Sequence, residues 1–128
     1  EFTEALKVAD VLSIHCPLND ETRNLFNKET LALLKPTSFV INTARGGIVD
    51  ESALVEILKE KLIAGAGFDV LSVEPAQATN PLANYQGHNL ILTPHTAWAA
   101  KESIERLVNE IAKNIINFTH GTPSNVVV

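Results

Sequence analysis

Four short apolar runs, separated by helical patterns and one polar loop, constrain this chain more than any other feature. They are Val11 to His15, Ser38 to Asn42, Ala64 to Val70 and Leu90 to Thr93. Runs of this length read as strands, the first with the pattern of a buried one. Pro17 stops the first and Gly46-Gly47 breaks the second. The small residues Gly65-Ala66-Gly67 in the third suggest close backbone approach. Between the first two runs, Asn27 can cap a helix over Lys28 to Lys35, with Pro36 just beyond it. Between the next two, Asp50 is a good N-cap with Glu51 in the first turn. Leu54, Ile57, Leu58 and Leu62 then follow at helical spacing, and Lys59 and Lys61 favour the helix C-terminus. Strands alternating with helices predict an α/β fold with a parallel sheet. About four strands correspond to one of the two βαβαβ halves of a doubly wound dinucleotide fold.

The remaining segments flank this pattern. Leu6 to Ala9 reads as a helix end, and Asn19-Asp20-Glu21-Thr22 as a turn. Residues 71 to 89 form a polar loop long enough to be either functional or disordered. A last helix is predicted from Trp98 to Phe118, with Ile104, Leu107, Val108, Ile111, Ile115 and Phe118 in one apolar stripe. Gly121 and Pro123 stop it, and Asn125 to Val128 reads as a short strand or an extended tail. The expected division is 1–97 for the sheet domain and 98–128 for the helix and tail.

Composition narrows the function. The 128 residues suffice for one domain, and 45% apolar content can build a core. A net charge of −5 without a basic run argues against nucleic acid or anionic membrane surfaces as partners. No apolar stretch approaches the ~20 residues a membrane helix needs. A single cysteine, Cys16, forms no internal disulfide, which fits a cytoplasmic setting. The chain contains no methionine and begins with Glu1, so a piece of a longer protein is the simplest expectation.

The chemistry gathers where the strands end. Residues just past the strand ends of an open parallel sheet line a shared crevice. Arg45 closes the second run, His95 the fourth, and Glu74 follows the third, before Pro75. A guanidinium is always charged and matches a carboxylate with a planar fork. The alternative is a surface arginine paired with Asp50 or Glu51. A histidine titrates near neutrality and can give and take a proton, or can simply be hydrogen-bonded at a strand end. A carboxylate beside an imidazole orients the ring and stabilises its charged form, but Glu74 can equally be an exposed loop acid. Asp69 can accept hydrogen bonds from a ligand amide or hydroxyl, or serve as a turn residue. His15 reads as a pocket wall; His88 and His120 read as loop residues. No zinc-like spacing is present, so no metal is expected. A G-x-S-x-G elbow, a phosphate loop and a G-x-G-x-x-G are all missing.

Four ordered segments carry a family resemblance: Asp10 to Leu18, Phe39 to Asp50 with its Asn-Thr-Ala-Arg-Gly-Gly-Ile-Val-Asp core, Gly67-Phe68-Asp69-Val70 with Glu74-Pro75, and Thr93-Pro94-His95-Thr96-Ala97-Trp98. From about Ala9 onward the chain resembles the C-terminal half of the NAD(P)-dependent D-isomer-specific 2-hydroxyacid dehydrogenases. The resemblance implies a Rossmann-like parallel sheet with flanking helices, forming the second half of a dinucleotide-binding domain, followed by a helix that crosses toward a substrate domain. It implies an oxidoreductase acting on a small 2-keto or 2-hydroxy acid. Arg45 would bind the carboxylate, His95 would be the acid or base, and Glu74 would keep His95 protonated. It implies NAD, with NADP open, held by Cys16, Pro17, Thr43, Ala44, Arg45, Asp69, His95, Thr96, Ala97 and Trp98.

The last four of these residues most resemble the glycerate dehydrogenase and hydroxypyruvate reductase branch, with hydroxypyruvate or D-glycerate as substrate. A homodimer is implied for the full-length protein. The alternative is a non-catalytic, NAD-responsive binding module like the corepressors that share this fold. The family's glycine-rich pyrophosphate loop and its acidic ribose residue have no counterpart in this sequence, so the isolated chain is expected to be inactive. Its helix stripe and one sheet edge are expected to be exposed.

Overall fold

The structure is a computed structural model that describes residues 1–127. Two compact units are present: Glu1–His95 and a second beginning at Thr96. The first carries helices α1 (Phe2–Val8), α2 (Lys28–Leu31) and α3 (Glu51–Lys59), and strands β1 (Val11–Ile14), β2 (Phe39–Asn42), β3 (Gly65–Phe68) and β4 (Leu90–Leu92). The second carries α4 (Lys101–Thr119).

The four strands form one parallel sheet in the order β1-β2-β3-β4. The predicted α/β architecture is therefore present. In register, Ile14 faces Asn42, Asn42 faces Phe68, and Phe68 faces Leu92. All four strands thus end level, and the chain leaves them along one edge. The order of these four strands never reverses, so they do not by themselves form the switch-point crevice of a doubly wound sheet.

Burial alternates along β1, β2 and β4, which corrects the expectation that the first run is a buried strand. Ile14, Val40, Ala66 and Phe68 point into the core, while Val11, Phe39 and Ile91 are exposed. Helices α1 to α3 supply Leu6, Leu31, Leu54, Ile57 and Leu58 to that same core. The glycines of β3 serve the other face: the Phe39 ring lies over Gly65, and Ile41 lies over Gly67.

The connections follow local chemistry. Asn27 caps α2 by a reciprocal capping box with Thr30. The helix ends at Leu31, short of the predicted Lys35. Its end loosens into i→i+3 turns, Leu33 N–H to Thr30 and Leu34 N–H to Leu31, because the residue before Pro36 is biased out of helical geometry. Asp50 caps α3 through the Ser52 and Ala53 N–H groups. The helix closes with the Leu62 N–H on Ile57 and the Lys61 N–H on Leu58, with Lys61 at φ 56°. The β3–β4 connection contains no helix, yet it is ordered: Leu82 and Asn80 are buried.

In the second unit, α4 begins at Lys101, three residues after the expected Trp98, because a turn from Thr96 to Ala99 precedes it. None of its residues is buried, and Leu107, Ile111, Ile115 and Phe118 are exposed. Its C-terminal turn passes through Gly121 at φ 72°. Residues 125–127 form no strand, and Val128 lies outside the described residues. Among the described residues, no helix is long and apolar enough to cross a membrane.

Candidate active site

Arg45 is placed by the residue that ends β2. Asn42 is fully buried; its amide nitrogen donates to the Arg45 carbonyl at 2.9 Å, and its amide oxygen accepts the Ala44 N–H at 3.0 Å. This closes the turn after the strand and presents the exposed Arg45 side chain at the strand-end edge. A 3-10 turn, Gly46–Ile48, follows. The guanidinium donates to the Ala44 carbonyl at 2.7 Å. Asp50 and Glu51, the surface partners considered for it, are engaged elsewhere: Asp50 caps α3, and Glu51 binds Ser72 and Asn80.

Glu74 uses both carboxylate oxygens. One accepts the Leu71 N–H at 2.8 Å, and the other lies 2.6 Å from His95 Nδ1. The two side chains are 36% and 38% exposed, so the pair is open to a ligand without being bare. His95 sits at φ 54°, a left-handed conformation that non-glycine residues seldom adopt. The hydrogen bond from His95 holds the Glu74 carboxyl below the ordinary carboxylate range. The Leu71 N–H adds to this, burial opposes it, and the charges of His95 and Arg45 reinforce it.

Two recesses open at this edge. The first, about 380 Å³, is walled by Leu71, Pro75 and Leu92 and carries Asp69, Glu74, Thr93 and His95. The second contains His15, Cys16, Pro17, Ala44 and Arg45. Glu74 and His95 are in direct contact in the first recess, and Arg45, which lines the second, acts on Glu74 through its charge.

The other expected residues distribute as follows. Asp69 is buried and accepts the Thr93 hydroxyl, tying the ends of β3 and β4 together. Cys16 is half-buried against the core, and Thr43 is exposed at the end of β2. Thr96, Ala97 and Trp98 belong to the second unit and are exposed there. His15 bonds to Ser13 at 2.7 Å. Residues that escaped sequence reasoning are Asn42, Glu51 and Asn80. The only available signal was an amide ending an apolar run at Asn42.

These features define a class: a parallel α/β sheet with a carboxylate–imidazole pair and a cation along its strand-end edge. Residues 1–97 match the family model described as D-isomer specific 2-hydroxyacid dehydrogenase, NAD binding domain, and the chain belongs to that family. It is 45% identical over 122 residues to a glycerate dehydrogenase of Methylorubrum extorquens, covering 95% of this chain and 39% of the relative. A hydroxypyruvate reductase of Blautia hydrogenotrophica is 42% identical, over 99% of this chain and 39% of its own length. The NAD-complexed D-isomer specific 2-hydroxyacid dehydrogenase of Lactobacillus delbrueckii ssp. bulgaricus superposes with a TM-score of 0.86 at 30% identity, covering 100% of this chain and 42% of that one. The chain therefore spans about two fifths of the length of each of these three proteins.

Proposed function

We propose that this chain supplies the acid–base half of an NAD-dependent D-2-hydroxyacid dehydrogenase, acting on hydroxypyruvate or D-glycerate. The observation that carries this is the 2.6 Å contact between His95 Nδ1 and Glu74 at the mouth of the strand-end recess. With Nδ1–H on Glu74, the charged ring also carries a proton on Nε2, which it can give to a ketone oxygen and recover from the alcohol. Glu74 stabilises that charged ring. Arg45 takes the substrate carboxylate with its fork of donors.

The residues present fit the nicotinamide end of the cofactor. A buried carboxylate and a hydroxyl, Asp69 and Thr93, stand beside Glu74 and His95 in a recess walled by Leu71, Pro75 and Leu92. Thr43, Ala44, Cys16, Pro17 and the segment His95 to Trp98 would complete that end. The pyrophosphate end has no matching glycine motif in this sequence. Bound nicotinamide would exchange a hydride equivalent with the substrate carbon. In this reading residues 1–97 are half of the dinucleotide domain, 98–128 serve the substrate domain, and the full-length protein is a cytoplasmic homodimer. The glycerate dehydrogenase and hydroxypyruvate reductase names of the relatives weigh against the corepressor-like alternative.

The test is reduction of hydroxypyruvate with NADH by the full-length protein that carries this chain. His95→Ala should abolish turnover and Arg45→Ala should chiefly raise KM. Near-normal kinetics in either variant would sink the assignment. The isolated 128 residues should show no turnover.

A further inference from the structure

Glu51, the first residue of α3, is a buried carboxylate outside the acid–base set, only 6% exposed. One oxygen accepts the Ser72 backbone N–H, and the other accepts the Asn80 side-chain amide at 2.7 Å. Asn80 is also buried, and its amide oxygen accepts the Ala83 N–H at 2.9 Å. That second bond fixes which way the Asn80 amide faces, so only an acceptor at position 51 satisfies it. A carboxylate offers acceptors at both oxygens; a glutamine offers one.

Gly46 makes a second, independent contact with the same loop. A Cβ there would lie 1.9 Å from the Leu71 carbonyl carbon and 2.2 Å from the Ser72 nitrogen. The backbone after Arg45 therefore packs directly on the backbone at 71–72, at a spacing that excludes every side chain. Leu71 in turn donates its N–H to Glu74, and Glu74 holds His95.

We propose that Glu51 and Gly46 are positioning residues that clamp Leu71-Ser72 onto the segment carrying Arg45, and so set the spacing between the Arg45 guanidinium and the Glu74–His95 pair. This rests on the reaction proposed above. In a 2-keto acid the carboxylate and the ketone are adjacent carbons, so the cation and the proton donor must keep one fixed separation. A misplacement of about 1 Å costs on the order of 100-fold in rate. The clamp connects residues far apart in sequence and touches no reacting atom.

The experiment compares E51Q with the swapped pair E51Q/N80D in the full-length protein. In the swap, the new amide at 51 donates to the new carboxylate at 80, which still accepts Ala83, while the amide oxygen still accepts Ser72. E51Q should lower kcat on the order of 10-fold to 100-fold with a much smaller change in KM. It should also shift the titration of the Glu74 carboxyl, followed by carboxyl-carbon NMR, because the Leu71 N–H, His95 and the charge of Arg45 all act on that group. E51Q/N80D should restore both. An E51Q protein with unchanged kcat and an unchanged Glu74 titration overturns the clamp, as does a swap that restores neither. If E51Q does not fold, N80A removes one of the two donors to Glu51, and the same shift is expected. The NMR readout is independent of turnover. A Glu74 titration moved by E51Q in a protein that reduces no keto acid keeps the clamp and removes the proposed reaction.

Discussion

The side chain of Asn42 holds the backbone of Arg45: its amide donates to the Arg45 carbonyl at 2.9 Å and accepts from Ala44 at 3.0 Å. The last residue of a central strand thereby sets the direction of the cation that follows it. Replacing Asn42 with Ala removes a fully buried amide and leaves the Arg45 carbonyl and the Ala44 N–H without that partner. A loss of about 1–3 kcal/mol is expected, measurable by urea unfolding. Stability within a few tenths of wild type would show that water satisfies both groups.

A second prediction concerns the end of α3. Lys61 occupies the left-handed position of a Schellman-type cap, with the Leu62 N–H on the Ile57 carbonyl and the Lys61 N–H on Leu58. Glycine reaches this conformation without the Cβ penalty. Lys61→Gly should therefore stabilise the chain by about 1 kcal/mol, seen as a raised urea midpoint. A lowered midpoint would mean that the lysine side chain contributes more than its backbone costs.

Much of the scaffold was legible because its signals are local. Asp50 followed by Leu54, Ile57 and Leu58 marks a cap and a buried helix face within one short window, and the four apolar runs mark the strands. The site was legible one residue at a time: Arg45 and His95 each close a strand, and Glu74 follows one. The 21-residue separation of Glu74 and His95 left their contact to the sheet register, which no local pattern encodes. Glu51 shows the limit most clearly. At the first turn of a helix it reads as an ordinary acid favoured by the helix dipole, yet its partners lie 21 and 29 residues away.

The third prediction is a pH dependence with a definite sign. Glu74 is held below the ordinary carboxylate range, first by its hydrogen bond from His95 and then by the Leu71 N–H. Its folded carboxyl gives up its proton more readily than its unfolded one. The stabilisation is complete above the unfolded value and is lost as pH falls through the lower folded value. The stability gap between wild type and Glu74→Gln should therefore be largest above the ordinary carboxylate value of 4.5 and shrink on acidification below it. Urea midpoints taken across that range check this. A gap that widens toward acid would reverse the sign and remove the carboxylate–imidazole pairing as its source.

The last prediction separates the charge of Arg45 from its shape. The guanidinium is exposed and spends one donor on the Ala44 carbonyl. Its remaining donors are those proposed for the substrate carboxylate. Lysine keeps the charge but is a point donor without a planar fork. Losing one charge-assisted hydrogen bond costs about 1.5–3 kcal/mol, which is roughly 10-fold to 100-fold in binding. Arg45→Lys in the full-length protein should raise KM for hydroxypyruvate by that factor while kcat stays within a few-fold, since Glu74 and His95 are untouched. Arg45→Ala should raise KM further, because the field at the carboxylate goes with the fork. Equal KM values for the lysine and alanine variants would assign the whole effect to geometry. An unchanged KM in the lysine variant would assign it to charge alone and remove the two-point contact with the carboxylate.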